Sequence, residues 1–333
     1  MPLNAASAEE QAAMTLVDMD GVLAVVPVGA RLTDFSWKEV NAALLQRSDL
    51  RAIAIVFGDR WLTQLFVETW NELPNRLASL AVRPPSEIRL TFNRSFDWRQ
   101  VAERVPIAYT DFQSWWHLVD LAKCGPCVEV RMIPIEYTSA AAMTAATDRD
   151  ESCLPDLLSA PPRRQLDWLF HELRLARLSD LCGEVVSLAG ATAVLAGLWL
   201  LHGDGGESHR HAQSIEDEGR HRCGNYWHAI MHRQEPDYGN SKYWFRRVGQ
   251  HPIFPELARR ADNLIAADPS EAALHWRTKL GVPHRWDAFA FVDWCEAAAR
   301  EADVSQARLI RRIQFIEMHL LLRASYADAT RSP

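Results

Sequence analysis

Seven of the twelve histidines fall between positions 202 and 251: His202, His209, His211, His221, His228, His232 and His251. His228 and His232, in the run YWHAIMHR, stand four apart. On a helix that spacing puts both on one face, where two imidazoles can reach one metal ion. Glu235 and Asp237 follow at once and can close the site or move protons in it, and His209 can add a third imidazole from the preceding segment. Two or three histidines with a carboxylate suit Zn, Fe or Mn, and such a metal acts as a Lewis acid or activates water.

Cationic residues crowd the same stretch. Arg233, Lys242, Arg246 and Arg247 surround Tyr238-Gly239-Asn240, with the arginines beside Tyr243, Trp244 and Phe245. Guanidinium groups held against aromatic faces bind carboxylates or phosphates in bidentate fashion, which makes a small anion a candidate ligand, with Asn240 a further polar contact. A structural reading competes, in which Glu235 and Asp237 pair with these arginines in a buried network. The density of polar and aromatic groups favours a ligand-bearing pocket, because each buried polar group needs a partner.

The segment NYWHAIMHRQEPDYGNSKYWFRRVGQHPIF, with the later WDAFAFVDWCEAA and the closing RRIQFIEMHLLL, resembles the core of an uncharacterised family of bacterial and fungal proteins. The resemblance spans about 165–328. It implies a histidine preceded by serine, matched by Ser208-His209, and a His-x-x-x-His-Arg-x-Glu-x-Asp run, matched by His228, His232, Arg233, Glu235 and Asp237. It supplies positions and no reaction. GRHRCGN, at 219–225, looks like a local insertion relative to that family and sets His221 and Cys223 apart from the site.

A second constellation lies near the start. Asp18-Met19-Asp20-Gly21-Val22-Leu23 follows a short apolar run. Two carboxylates at the C-terminal end of a strand can share a phosphoryl group, one attacking and one handling the proton, with Mg²⁺ clamping the phosphate. Over about 12–90 the chain resembles the haloacid dehalogenase-like superfamily, whose first motif is a strand ending in Asp-x-Asp-Gly. The resemblance implies Asp18 as nucleophile and Asp20 as general acid/base, in a Mg-dependent phosphohydrolase. The next strand ends Val56-Phe57-Gly58-Asp59, where that family has Ser or Thr. Cys124-Gly125-Pro126-Cys127 has the spacing of a redox pair, but it follows a helical run and precedes a strand-like one, so it reads as a turn.

The elements that must position these residues divide into two textures. Over 1–138, β-type runs (Thr15–Val17, Ala52–Phe57, Ile88–Phe92, Val128–Tyr137) alternate with helical ones (Trp37–Gln46, Trp61–Trp70, Trp98–Val105, Phe112–Lys123). That alternation predicts an α/β domain with a mainly parallel sheet, of the haloacid dehalogenase-like kind if the first resemblance holds. Residues 139–164 are small, polar and Pro-containing, as in a linker. Residues 165–328 read as an all-α bundle, with Leu309, Ile313, Ile316, Leu320 and Arg323 falling on one side as a stripe that faces a core.

The 333 residues are 48% hydrophobic and 24% charged, an ordinary globular composition. A net charge of −7 gives no basic field for nucleic acid. The uncharged run Val185–Leu201 sits at the lower limit for a membrane span and reads as a buried central helix. With no signal-like N-terminus and no disulfide framework, the expectation is a cytoplasmic protein off the membrane, its oligomeric state open.

Overall fold

The computed structural model of the chain describes residues 14–19, 22–27, 30–32, 52–56, 65, 68–69, 72–81, 88–93, 128–131, 135–137, 154–158, 167–301 and 303–331. The chain falls into two compact units, Met1–Cys153 and Leu154–Pro333. The described strands all lie in the first unit.

Strands β1 (Met14–Met19), β2 (Val22–Pro27), β4 (Ala52–Val56), β5 (Ile88–Asn93) and β6 (Val128–Arg131) form a sheet in the order β1-β2-β5-β4-β6. β3 (Ala30–Leu32) pairs with β7 (Ile135–Tyr137) in a second, two-stranded sheet. Helix α1 (Asn75–Ala81) buries Leu77, Ala78, Leu80 and Ala81. The mainly parallel α/β sheet expected from the alternation does not hold, and with it falls the haloacid dehalogenase-like architecture. Among the described residues β1–β2, β2–β5 and β4–β5 are antiparallel, and only β4–β6 is parallel.

The physical reason is legible at the first turn. β1 and β2 pair antiparallel with Met19 opposite Val22, and an Asp-Gly pair between two apolar runs is, in the sequence, a strong hairpin signal. Asp18 sits within this antiparallel ladder opposite Leu23, not at the open end of a parallel strand. Asp20, like the Cys124–Cys127 segment, lies outside the described residues. β4, flanked on both sides, accounts for the unbroken apolar run AIAIV whatever the direction of its neighbours.

The regular elements described in the second unit are all helices: α2 (Asp167–Leu175), α3 (Leu178–Cys182), α4 (Leu188–Leu201), α5 (Gly205–Gln213), α6 (Cys223–Gln234), α7 (Tyr238–Val248), α8 (Phe254–Ala266), α9 (Glu271–Leu280), α10 (Ala288–Glu301) and α11 (Val304–Thr330). Short polar residues start most of them. Ser187 accepts from the Gly190 amide at 3.1 Å, Asp204 from Glu207 at 3.0 Å, Asp237 from Asn240 at 3.1 Å and Ser270 from Ala273 at 3.2 Å. Each satisfies one orphan amide of a first helical turn, worth about 1 kcal/mol.

α4 and α11 make the spine. α4 is apolar all round, with 11 of its 14 residues buried. At about 21 Å it is short of the ~30 Å hydrocarbon core of a bilayer. Among the described residues no helix is long and apolar enough to cross a membrane. Two glycines let α4 approach its neighbours closely. A Cβ on Gly190 would lie 2.5 Å from the Ala329 backbone nitrogen of α11, and one on Gly197 would lie 2.4 Å from the Trp227 ring of α6. On α11 the four apolar residues of the expected stripe, Leu309, Ile313, Ile316 and Leu320, are buried, and Arg323 at its end is half-buried. The stretch Leu154–Leu158, inside the segment expected as linker, is tied to α11, where Arg311 donates to the carbonyls of Leu154 (2.9 Å) and Pro155 (3.0 Å).

Candidate metal centre

α5 and α6 pack against each other and both lie on α4. Asp204 caps α5 and so fixes the turn that presents His209. α6 carries His228 and His232 one turn apart, as the spacing of four requires. The three imidazoles converge: each offers a nitrogen, and these atoms all lie within 4.8 Å of one another. The ring centroids are 4.6 Å apart for His209–His228, 5.5 Å for His209–His232 and 4.8 Å for His228–His232. Ligands on a tetrahedral zinc with Zn–N near 2.05 Å stand about 3.3 Å apart, so a side-chain closure of roughly 1 Å brings the set to ligation distance.

His228 is the centre of the group. It is 2% exposed, and neither ring nitrogen has a hydrogen-bond partner among the described residues. The indole of Trp244, from α7, stacks on its ring at a centroid distance of 4.0 Å. Burial, reinforced by His232 and His209, pushes its pKa down to about 3. The ring is therefore neutral at pH 7 and its lone pair is available. Burial also lowers His232, against the opposing pull of Glu235. Leaving both nitrogens of the buried, neutral His228 and Nδ1 of His232 without a hydrogen bond is costly, at about 1–3 kcal/mol per orphaned polar group.

The remaining expected residues divide sharply. Glu235 sits beside the cluster, its Oε2 3.4 Å from His232 Nδ1. Asn240 reaches it from α7, its Nδ2 3.1 Å from His232 Nε2. Asp237 spends one carboxylate oxygen, Oδ1, capping α7. Arg233 points the other way, one residue and about 100° round the helix from His232. It is fully buried, with Nη2 2.5 Å from Glu317 Oε2 and 3.1 Å from Gln314 Oε1, and its guanidinium lies 4.6 Å from the Phe291 ring centroid. Lys242 is paired with Asp293, and Arg247 with Asp217 and Glu216. Arg247 also lies 5.3 Å from the Trp244 ring centroid, so it touches the centre only through that wall. Arg246 is exposed and sits over Phe289 at 5.9 Å. The structure thus brings His209, His228, His232, Glu235 and Asn240 together, and leaves Arg233, Lys242, Arg246 and Arg247 in ion pairs or ring contacts elsewhere.

The stacking of Trp244 on His228 and the contact of Asn240 with His232 are features of the candidate site that the spacing did not disclose. Both residues lie on α7 in register with the preceding helix, a relation fixed by tertiary packing. His221 and Cys223 belong to a separate network. His221 Nδ1 is 2.6 Å from Asp328 Oδ1, and Cys223 Sγ lies 3.6 Å from Asp328 Oδ2 and 3.7 Å from His251 Nε2. These contacts fasten the end of α11 to the segment before α6.

No family model, curated protein or solved structure matches this chain.

Proposed function

We propose that the helical unit is a metal-dependent enzyme. Its centre is one divalent transition ion, Zn, Fe or Mn, held by His209, His228 and His232, and its substrate is small and anionic. The observation that carries this reading is His228: buried, neutral, without a partner on either ring nitrogen, and flanked by two more imidazoles. A divalent cation is the group that such a nitrogen-only set fits best. When bound, the ion would polarise an oxygen of the substrate or lower the pKa of a water.

The charge of the site argues for the substrate class better than the arginines do. Three neutral imidazoles leave both charges of a dication uncompensated, so the open positions favour hydroxide or an anionic oxygen. Glu235 stands beside His232 with a solvent-accessible carboxylate and is suited to take up a proton. Trp244 closes one wall and excludes water from His228. Cys182, Cys223 and Cys295 are free thiols, in keeping with a reducing, cytoplasmic location.

Cobalt(II) titration of the purified chain tests the reading. Saturable binding near one equivalent, with intense tetrahedral d–d bands that are absent from His228→Ala, is the expected outcome. A featureless titration, or the same bands in His228→Ala, would overturn it.

A further inference from the structure

We infer that Asn240 is the positioning residue that decides which nitrogen of His232 faces the metal, and that this nitrogen is Nδ1. The inference rests on the three-histidine reading above and deepens it.

The side-chain amide of Asn240 meets His232 at Nε2, 3.1 Å away. Nδ1 of the same ring is buried and makes no hydrogen bond of good geometry among the described residues, its polar neighbour being Glu235 Oε2 at 3.4 Å, a carboxylate that can share a metal held on Nδ1. The two ends of an Asn amide are interchangeable by rotation, so the hydrogen-bond logic settles which end faces the ring. Suppose the NH₂ end faces Nε2. It then occupies the Nε2 lone pair, the ring proton moves to Nδ1, and His232 has no lone pair left to give. Suppose instead the carbonyl faces Nε2. Nε2–H then donates to Asn240 Oδ1, and the Nδ1 lone pair is presented on the side of the ring away from Asn240. With the Asn240 contact kept, His232 ligates a metal only in the second arrangement.

Asn240 is well placed for this task because its own position is over-determined. Its amide nitrogen donates to Asp237 Oδ1 at 3.1 Å. The Asp237 amide donates to the His232 carbonyl at 3.0 Å, and Ser241 Oγ donates to the Ala229 carbonyl at 2.8 Å. The first turn of α7 is thereby fastened to the last turn of α6, at the level of the ligand it orients. Ligating histidines are commonly fixed in one tautomer by an acceptor on the other nitrogen, and loss of that acceptor weakens metal binding by about 10–100-fold.

The two orientations make opposite forecasts for aspartate at this position, since a carboxylate accepts and cannot donate. The test is a Zn²⁺ affinity measurement by competition with a chromophoric chelator on the full chain, for wild type, Asn240→Asp, Asn240→Leu and His228→Ala. Histidine ¹⁵N NMR of the zinc-free and zinc-loaded forms runs in parallel. The expected result is an Nε2–H tautomer of His232 in the wild type, with zinc on Nδ1. Asn240→Asp binds as tightly as wild type or up to tenfold tighter, while Asn240→Leu binds about 10–100-fold more weakly with an unchanged helical circular dichroism spectrum. Zinc binding by the wild type with an Nδ1–H tautomer of His232, or an Asn240→Asp loss equal to that of Asn240→Leu, would overturn the role of Asn240 alone. A wild type that does not bind zinc, or a His228→Ala variant that still does, would overturn the three-histidine centre itself.

Discussion

Replacing Glu317 by Leu removes the carboxylate that neutralises Arg233 in the middle of the helical unit. Both side chains are fully buried. Glu317 accepts from Arg233 Nη2 at 2.5 Å and Nη1 at 3.4 Å, and from the Tyr226 hydroxyl at 2.9 Å. After the substitution the guanidinium keeps only Gln314 and the face of Phe291. An uncompensated buried charge costs about 3–5 kcal/mol, and the stranded Tyr226 hydroxyl adds about 1 kcal/mol. That is a large fraction of the ~5–15 kcal/mol that holds a domain together. Removing both charges, in Arg233→Met/Glu317→Leu, leaves no buried ion and is expected within about 2 kcal/mol of wild type. Urea unfolding of the two single variants and the double variant gives the coupling energy directly. The reasoning requires a coupling of several kcal/mol and an unchanged metal affinity in the double variant, because Arg233 faces away from the histidines. Additive losses below about 1 kcal/mol would refute it. So would a double variant of normal stability that has lost metal, which would return Arg233 to the site.

Acid should destabilise the fold in the window where unfolded histidines charge and buried ones do not. Burial pushes His251 and His319 down to about 3. Below an unfolded value near 6.5 the unfolded chain binds protons that the native chain refuses, so stability falls with pH by about 1.4 kcal/mol per unit for each such residue, until about pH 3. Metal-free wild type unfolded in urea between pH 6.5 and 5 should show this slope, and His251→Gln should show it reduced by about one proton; a flat profile would contradict the assignment. Gly197→Ala should cost about 1–2 kcal/mol despite its better helix propensity, because the new methyl meets the Trp227 ring, itself held by an Nε1–Ser325 hydrogen bond of 3.1 Å. A raised melting temperature would show that the α4–α6 contact is looser than described.

The helical unit was legible because its signals are local. The spacing of four between His228 and His232 places both on one face, and the apolar periodicity of 306–326 marks the long closing helix. The uncharged run around α4 read correctly as a central buried helix. α5 escaped detection because GGESHRHAQ carries almost no apolar stripe; only Ser208 and Ala212 are buried, and packing on α4 and α6 holds it. Arg233 was read with the site because the sequence places it next to His232. Its true partner, Glu317, is 84 positions away on α11, and no local rule links them. The sheet was misread for a related reason. Apolar runs mark strands but not their direction, and the run ending at Asp18 belongs to a strand that pairs antiparallel with the next one, Met19 opposite Val22.

The central claim is that His209, His228 and His232 form one metal site. The most direct measurement is elemental mass spectrometry of the purified chain, beside His228→Ala and His209→Ala prepared in the same way. The account predicts near-stoichiometric Zn, Fe or Mn in the wild type and a loss in both variants, with the helical content retained. A wild type free of these metals that also takes up none on exposure to Zn²⁺, or variants that keep the full complement, would contradict it.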